Sequence, residues 1–134
     1  MRDFDYVAPQ TLDEAIKAFA GANGGARALA GGTDLIDQVR AGRRQPDLLV
    51  DMKRVPELNL LDYNPKQGLR IGAAVSCTRV AAHPEVLKRY PGIAMSAGLI
   101  GSVQIQNRAA IGGNIGNAAP SADTVPCLLA LDAT

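Results

Sequence analysis

The sequence predicts a mixed fold, α+β or α/β, on three observations. Short apolar runs of strand length alternate with segments whose apolar residues recur at helical intervals. Glycine pairs at 24–25, 31–32 and 112–113 punctuate the boundaries between them. The composition, 47% hydrophobic and 20% charged, is that of an ordinary globular chain, and 134 residues suit one domain with a real core.

Taken in order, residues 4–9 (Phe-Asp-Tyr-Val-Ala-Pro) read as extended. Thr11 and Glu14 have capping-box spacing, and Leu12, Ala15, Ile16 and Phe19 follow at helical intervals until the glycines of residues 21–25 end the helix. Residues 26–30 form a strand that delivers the Gly31-Gly32 turn, and a helix follows over residues 35–41 with Thr33 or Asp34 as its cap. Residues 48–52 have the length of a buried strand, and residues 55–58 that of one helical turn. Residues 59–63 and 69–73 flank Asn64-Pro65-Lys66-Gln67-Gly68 in the pattern of an antiparallel hairpin. Thr78 can cap a helix running to Pro84, and a second helical piece covers residues 85–90. Residues 93–100 read as helix and residues 101–108 alternate like a strand into the Gly112-Gly113 turn. Residues 124–131 form a helix apolar on nearly all sides, hence buried, with Pro126 in its first turn.

Charge and composition narrow the function classes. Net charge is +1, no basic run exceeds Arg43-Arg44, and stacking aromatics are scarce, so neither nucleic acid nor an anionic membrane is an expected partner. The charged start and the absence of a long apolar stretch point to a cytoplasmic protein. Cys77 and Cys127 stand fifty residues apart, without metal-site spacing, and read as core residues. His83, before Pro84, reads as a helix-end or surface residue. No P-loop, no G-x-G-x-x-G and no marked nucleophile–base pair is present, so redox chemistry would have to come from a cofactor.

The two later glycine pairs carry the chemistry. In residues 108–123, small side chains leave the N–H groups of Gly112, Gly113 and Asn114 open to a ligand, and glycine supplies the positive φ of a tight turn. That is a phosphate cradle, or a turn whose glycines serve only the backbone. Gly31-Gly32 before a helix offers a second set of donors; the helix dipole favours an anion by about 0.3–1 kcal/mol, and charge-assisted hydrogen bonds by about 1.5–3 kcal/mol each. Two such loops suit the two phosphates of a dinucleotide. Asp123 is a helix cap or a ribose ligand. Asp34 should turn its carboxylate away from a diphosphate, which it would repel by about 1 kcal/mol or more. Arg108 offsets phosphate charge or lies solvated at the surface.

Residues 30–35 (Ala-Gly-Gly-Thr-Asp-Leu), the run from Gln104 to Asn114 and Ala119-Pro120-Ser121-Ala122-Asp123 together resemble the flavin subunit, or medium chain, of the molybdenum hydroxylases, the xanthine dehydrogenase and carbon monoxide dehydrogenase family. Phe4-Asp5-Tyr6 and Arg70-Ile71-Gly72-Ala73 extend the likeness over the whole chain. Both motifs in this order, with an aspartate nine residues after Asn114, make it specific.

The resemblance implies an α+β FAD-binding domain of the vanillyl-alcohol-oxidase (PCMH) type, its N-terminal portion over residues 1–134, without the C-terminal domain. It implies FAD contacts at Leu29, Ala30, Gly31, Gly32, Thr33, Asp34 and Leu35, at Ala110, Ile111, Gly112, Gly113 and Asn114, and at Asp123. It further implies a molybdopterin-binding large subunit and a 2Fe-2S small subunit as partners, with electrons passing through FAD to NAD or another acceptor. No side chain here is assigned a catalytic role. Ala110 stands where the family usually carries Thr or Ser, which loses one hydroxyl hydrogen bond to phosphate, about 0.5–1.5 kcal/mol and up to about 3 if charge-assisted. That departure and the short length also fit a truncated interaction module that keeps the fold and holds no flavin.

Overall fold

The computed structural model describes residues 2–134. Its first half is a three-stranded parallel sheet of β1 (Asp5–Val7), β2 (Ala26–Leu29) and β3 (Leu48–Asp51), in the order β1-β3-β2, with Asp5 and Ala26 both level with Leu48. The central strand is Leu-Leu-Val-Asp, apolar towards both faces as the middle of a parallel sheet requires, and Leu49 and Val50 are buried. Helix α1 (Leu12–Gly21) packs Ala15 onto Ala26, Val50 and Val55 in one apolar core. Its start has the expected Thr11 cap, with Thr11 Oγ1 accepting from the Glu14 N–H at 3.2 Å, while the Glu14 carboxylate reaches one residue further back than a capping box and accepts from the Gln10 N–H at 2.7 Å. Helix α2 (Leu35–Arg40) follows β2.

Two 3₁₀ turns (Met52–Arg54, Pro56–Asn59) lead to the antiparallel hairpin of β4 (Leu61–Asn64) and β5 (Gly68–Ile71), two residues later at its first strand than the sequence suggests. The second core lies under helices α3 (Cys77–Ala82), α4 (Pro84–Arg89) and α5 (Pro91–Leu99), where Val75, Val80, Val86, Ile93 and Ala97 meet Ile111. Helices α6 (Val103–Gln106), α7 (Ile111–Asn117) and α8 (Val125–Ala130) complete the described residues. None of the described helices is long and apolar enough to cross a membrane.

Several local expectations are corrected. Residues 103–106 are one helical turn rather than a strand: Gly101, at φ +52, turns the chain back and the Gln106 amide donates to the Gly98 carbonyl at 2.7 Å, closing the end of α5. Ser76, not Thr78, caps α3, accepting from the Arg79 N–H at 3.4 Å, while the Thr78 hydroxyl donates to Asn107 Oδ1 at 2.7 Å. Helix α8 has no buried residue. Its apolar sequence has a partner on one side only, where Cys127 and Leu128 pack on the second core, and Leu129 is 75% exposed.

Candidate functional site

A cavity of about 520 Å³ lies between the two cores. One wall is the end of β2 and the start of α2, from Ala28 through Gly31, Gly32 and Thr33 to Leu35 and Gln38; the other is Ala109, Ala110 and α7 from Gly112 to Asn117. Met52, Leu58, Ala73, Ala74 and Ile100 give it an apolar floor. That floor is held by backbone bonds, Ala74 N–H to Leu58 O at 2.8 Å and Gly72 N–H to Leu60 O at 2.7 Å, and by the Lys53 ammonium, which donates to the Ala74 carbonyl at 2.7 Å. Burial pulls the Lys53 pKa below the usual lysine value, with a smaller push from the Arg108 charge. Cys77 beneath it is buried, its thiol pushed up to about 11 by desolvation, so it is a packing residue at neutral pH.

The second glycine motif is not a turn. Gly112 and Gly113 sit in the first turn of α7, with no positive φ, and the Asn114 N–H is already bonded to the Ala110 carbonyl at 2.9 Å. The N–H groups of Ile111, Gly112 and Gly113 precede that first helical bond and have no acceptor within the helix. The glycines serve packing instead. A Cβ on Gly112 would collide with the Ala73 backbone, and one on Gly31 with the backbone of Arg108 and Ala109, so both positions let the two halves of the chain meet main chain to main chain. Gly113 differs: its nearest neighbour would be the Ala30 Cβ at 3.8 Å, and the space beside it is the cavity.

Ten of the thirteen sequence-selected residues line this cavity: Ala30 to Leu35, Ala110, Gly112, Gly113 and Asn114. Leu29 lies behind it against Gly32, and Ile111 is buried in the second core. Asp123 is exposed, does not line the cavity and does not cap α8; the cap residue is Thr124. Asp34 is exposed on the rim, and neither it nor Thr33 makes a side-chain capping bond to α2. Ala110 is the N-cap of α7, in extended conformation and with no side chain to complete the cap. Asn114 has a role not read from sequence: its Oδ1 accepts from the Thr124 hydroxyl at 2.6 Å, fixing the segment that follows α7.

Sequence reasoning missed the cationic rim. Arg27 and Arg44 line the cavity, whereas Arg108 does not. Against the two guanidiniums stands one lining carboxylate, Asp34, so the cavity favours an anionic ligand. The signal was available in the strand position of Arg27, four residues before Gly31, and in the Arg43-Arg44 pair.

Comparison with known proteins bears on what that ligand is. Residues 2–134 match the family described as the FAD binding domain in molybdopterin dehydrogenase. The chain belongs to this family. It is 33% identical over its whole length to the nicotinate dehydrogenase FAD-subunit of Eubacterium barkeri, covering 45% of that protein. It is 35% identical over 98% of its length to the glyceraldehyde dehydrogenase medium chain of Sulfolobus acidocaldarius, covering 46% of it. Among solved structures, carbon monoxide dehydrogenase from Hydrogenophaga pseudoflava superposes with a TM-score of 0.84 at 33% identity, over 89% of this chain and 41% of that one. The chain thus spans less than half the length of the relatives it matches, and its fold is the α+β flavin-domain fold of those medium chains.

FAD is the cofactor of this family. The cavity fits it on three counts: a Cβ-free wall at Gly113, an apolar floor, and a rim richer in guanidinium than carboxylate.

Proposed function

We propose that residues 1–134 form an FAD-binding domain that carries electrons within a molybdenum-containing hydroxylase or dehydrogenase. In this reading Ala30 to Leu35 and Ala110, Gly112, Gly113 and Asn114 hold FAD, Leu29 and Ile111 pack behind them, and Asp123, outside the cavity, meets the ribose or a neighbouring group where the cofactor extends beyond it. The partners are a molybdopterin-binding large subunit and a 2Fe-2S small subunit, and the final acceptor is NAD or another oxidant. When bound, the flavin supplies the redox chemistry by taking up electrons and passing them on. The residues of this chain bind and orient. The N–H groups at the start of α7 and the rim arginines would hold the diphosphate, and the apolar floor of Met52, Leu58, Ala73, Ala74 and Ile100 would keep water from the bound cofactor.

The observation that carries the reading is that both glycine motifs line one cavity, Ala30 to Leu35 on one wall and Ala110, Gly112, Gly113 and Asn114 on the other. A visible absorption spectrum of the purified chain, before and after adding FAD, tests it. A bound-flavin spectrum that Gly113→Asp loses is the expected result. A chain that takes up no FAD overturns the reading in favour of an interaction module that keeps the fold without flavin.

A further inference from the structure

We propose that Arg44 meets the anionic diphosphate of the bound dinucleotide and that Gln38, anchored by Asn117, positions it. The inference rests on the reading of the cavity as a flavin site. Arg44 lies in the loop after α2 and lines the cavity. Its Nε donates to Gln38 Oε1 at 2.6 Å, and the Gln38 Nε2 donates across to Asn117 Oδ1 at 2.7 Å. The Gln38 carbonyl accepts from the backbone N–H of Arg43 at 2.9 Å and of Arg44 at 3.3 Å. One glutamine therefore fixes Arg44 at both its main chain and its guanidinium, and its own amide is oriented by a residue on the opposite wall.

The bond at Nε leaves the two terminal nitrogens of Arg44 with no hydrogen-bond or ion-pair partner among the described residues. They keep a planar pair of donors, the geometry that suits phosphate oxygens. Arg27 is held differently: its Nη1 donates to the carbonyls of Gly24 and Ala26 at 3.0 and 2.7 Å, within its own strand and the turn before it, and no residue of the opposite wall positions its guanidinium. Asp34, the lining carboxylate, forms no ion pair with Arg44. Arg44 is thus the lining guanidinium that is tied to both walls, through Gln38 and Asn117, with both terminal nitrogens unspent.

The experiment is a titration of the flavin-free full chain with FAD at several salt concentrations, on wild type, Arg44→Ala, Arg44→Lys, Gln38→Ala and Arg43→Ala. Arg44→Ala should weaken FAD by roughly 10-fold or more, the scale of one charge-assisted hydrogen bond, and flatten its salt dependence. Arg44→Lys should recover part of the loss. Gln38→Ala should also weaken FAD, with the same flattened salt dependence and an unchanged flavin-free melting temperature, which a merely structural role would not give. Arg43→Ala, one residue away and outside the cavity, should bind as wild type does. Unchanged binding by Arg44→Ala, or an equal loss in Arg43→Ala, overturns the proposal while leaving the flavin reading intact. A wild-type chain that binds no FAD overturns the reading beneath it.

Discussion

The side-chain oxygen of Asn114 accepts two hydrogen bonds from one residue, Thr124: its N–H at 3.3 Å and its hydroxyl at 2.6 Å. Thr124 is fully buried, so neither donor has water to fall back on. Asn114→Ala should lower stability by about 1–3 kcal/mol, the cost of leaving buried donors unpaired. Adding Thr124→Val should cost less than the two single changes summed, because the hydroxyl that lost its acceptor is gone. Urea unfolding of the three variants checks both statements.

Two adjacent glycines should respond in opposite ways. Gly112→Ala forces its methyl into Ala73, with 2.6 Å to the Ala73 Cβ, and should destabilise the chain by about 1–3 kcal/mol. Gly113→Ala meets nothing closer than 3.8 Å and should gain up to about 1 kcal/mol from helix propensity. Its methyl faces the cavity, so FAD binding should weaken even as the melting temperature holds or rises. Paired thermal melts and FAD titrations separate the two effects.

Ala110 occupies a helix cap with φ −133 and ψ 149 and no side-chain oxygen. Ala110→Ser should therefore stabilise the chain by about 1 kcal/mol, by bonding an N–H of the first turn of α7. A higher denaturation midpoint at an unchanged slope is the expected readout.

Tyr6 reports on the sheet at alkaline pH. Its hydroxyl donates to Asp51 Oδ2 at 2.6 Å, and that bond, with desolvation and the aspartate charge behind it, raises the phenol pKa above 10.0. The folded chain thus keeps a proton that the unfolded chain releases near pH 10.0. The stabilisation is fully present below that pH and is lost as pH climbs through the folded-state value. Phenolate absorbance should put one tyrosine above the ordinary range in wild type, and Asp51→Asn should return it to that range.

What the sequence makes legible is local. The Thr11 to Glu14 cap and the Asn64 to Gly68 hairpin turn rest on contacts a few residues apart, and both form as expected. Helix α7 was hidden because Ile-Gly-Gly-Asn-Ile-Gly-Asn has almost no intrinsic helix preference. It is helical because Ile111 is drawn into the second core and Gly112 seats against Ala73. The exposure of α8 is not legible in the sequence, because composition says how apolar a helix is, not how many of its sides find a partner. At the site, both glycine motifs were visible, but the reason for the glycines was not: Gly31 and Gly112 answer to main chain approaching from far along the sequence. Gln38 and Asn117 carried no signal at all, since their partnership spans 79 residues.

That span sets an order of events in time. The wall around Gly31 can form with the first sheet, yet the cavity has no second side until the chain has reached Asn114 and its anchor Thr124 has been buried. Loop-closure entropy must be paid before contacts this distant in sequence can form. Secondary structure should accordingly return before the capacity to quench flavin fluorescence when the denatured chain is diluted into FAD, which makes cofactor loading a closing step of maturation rather than a template for it.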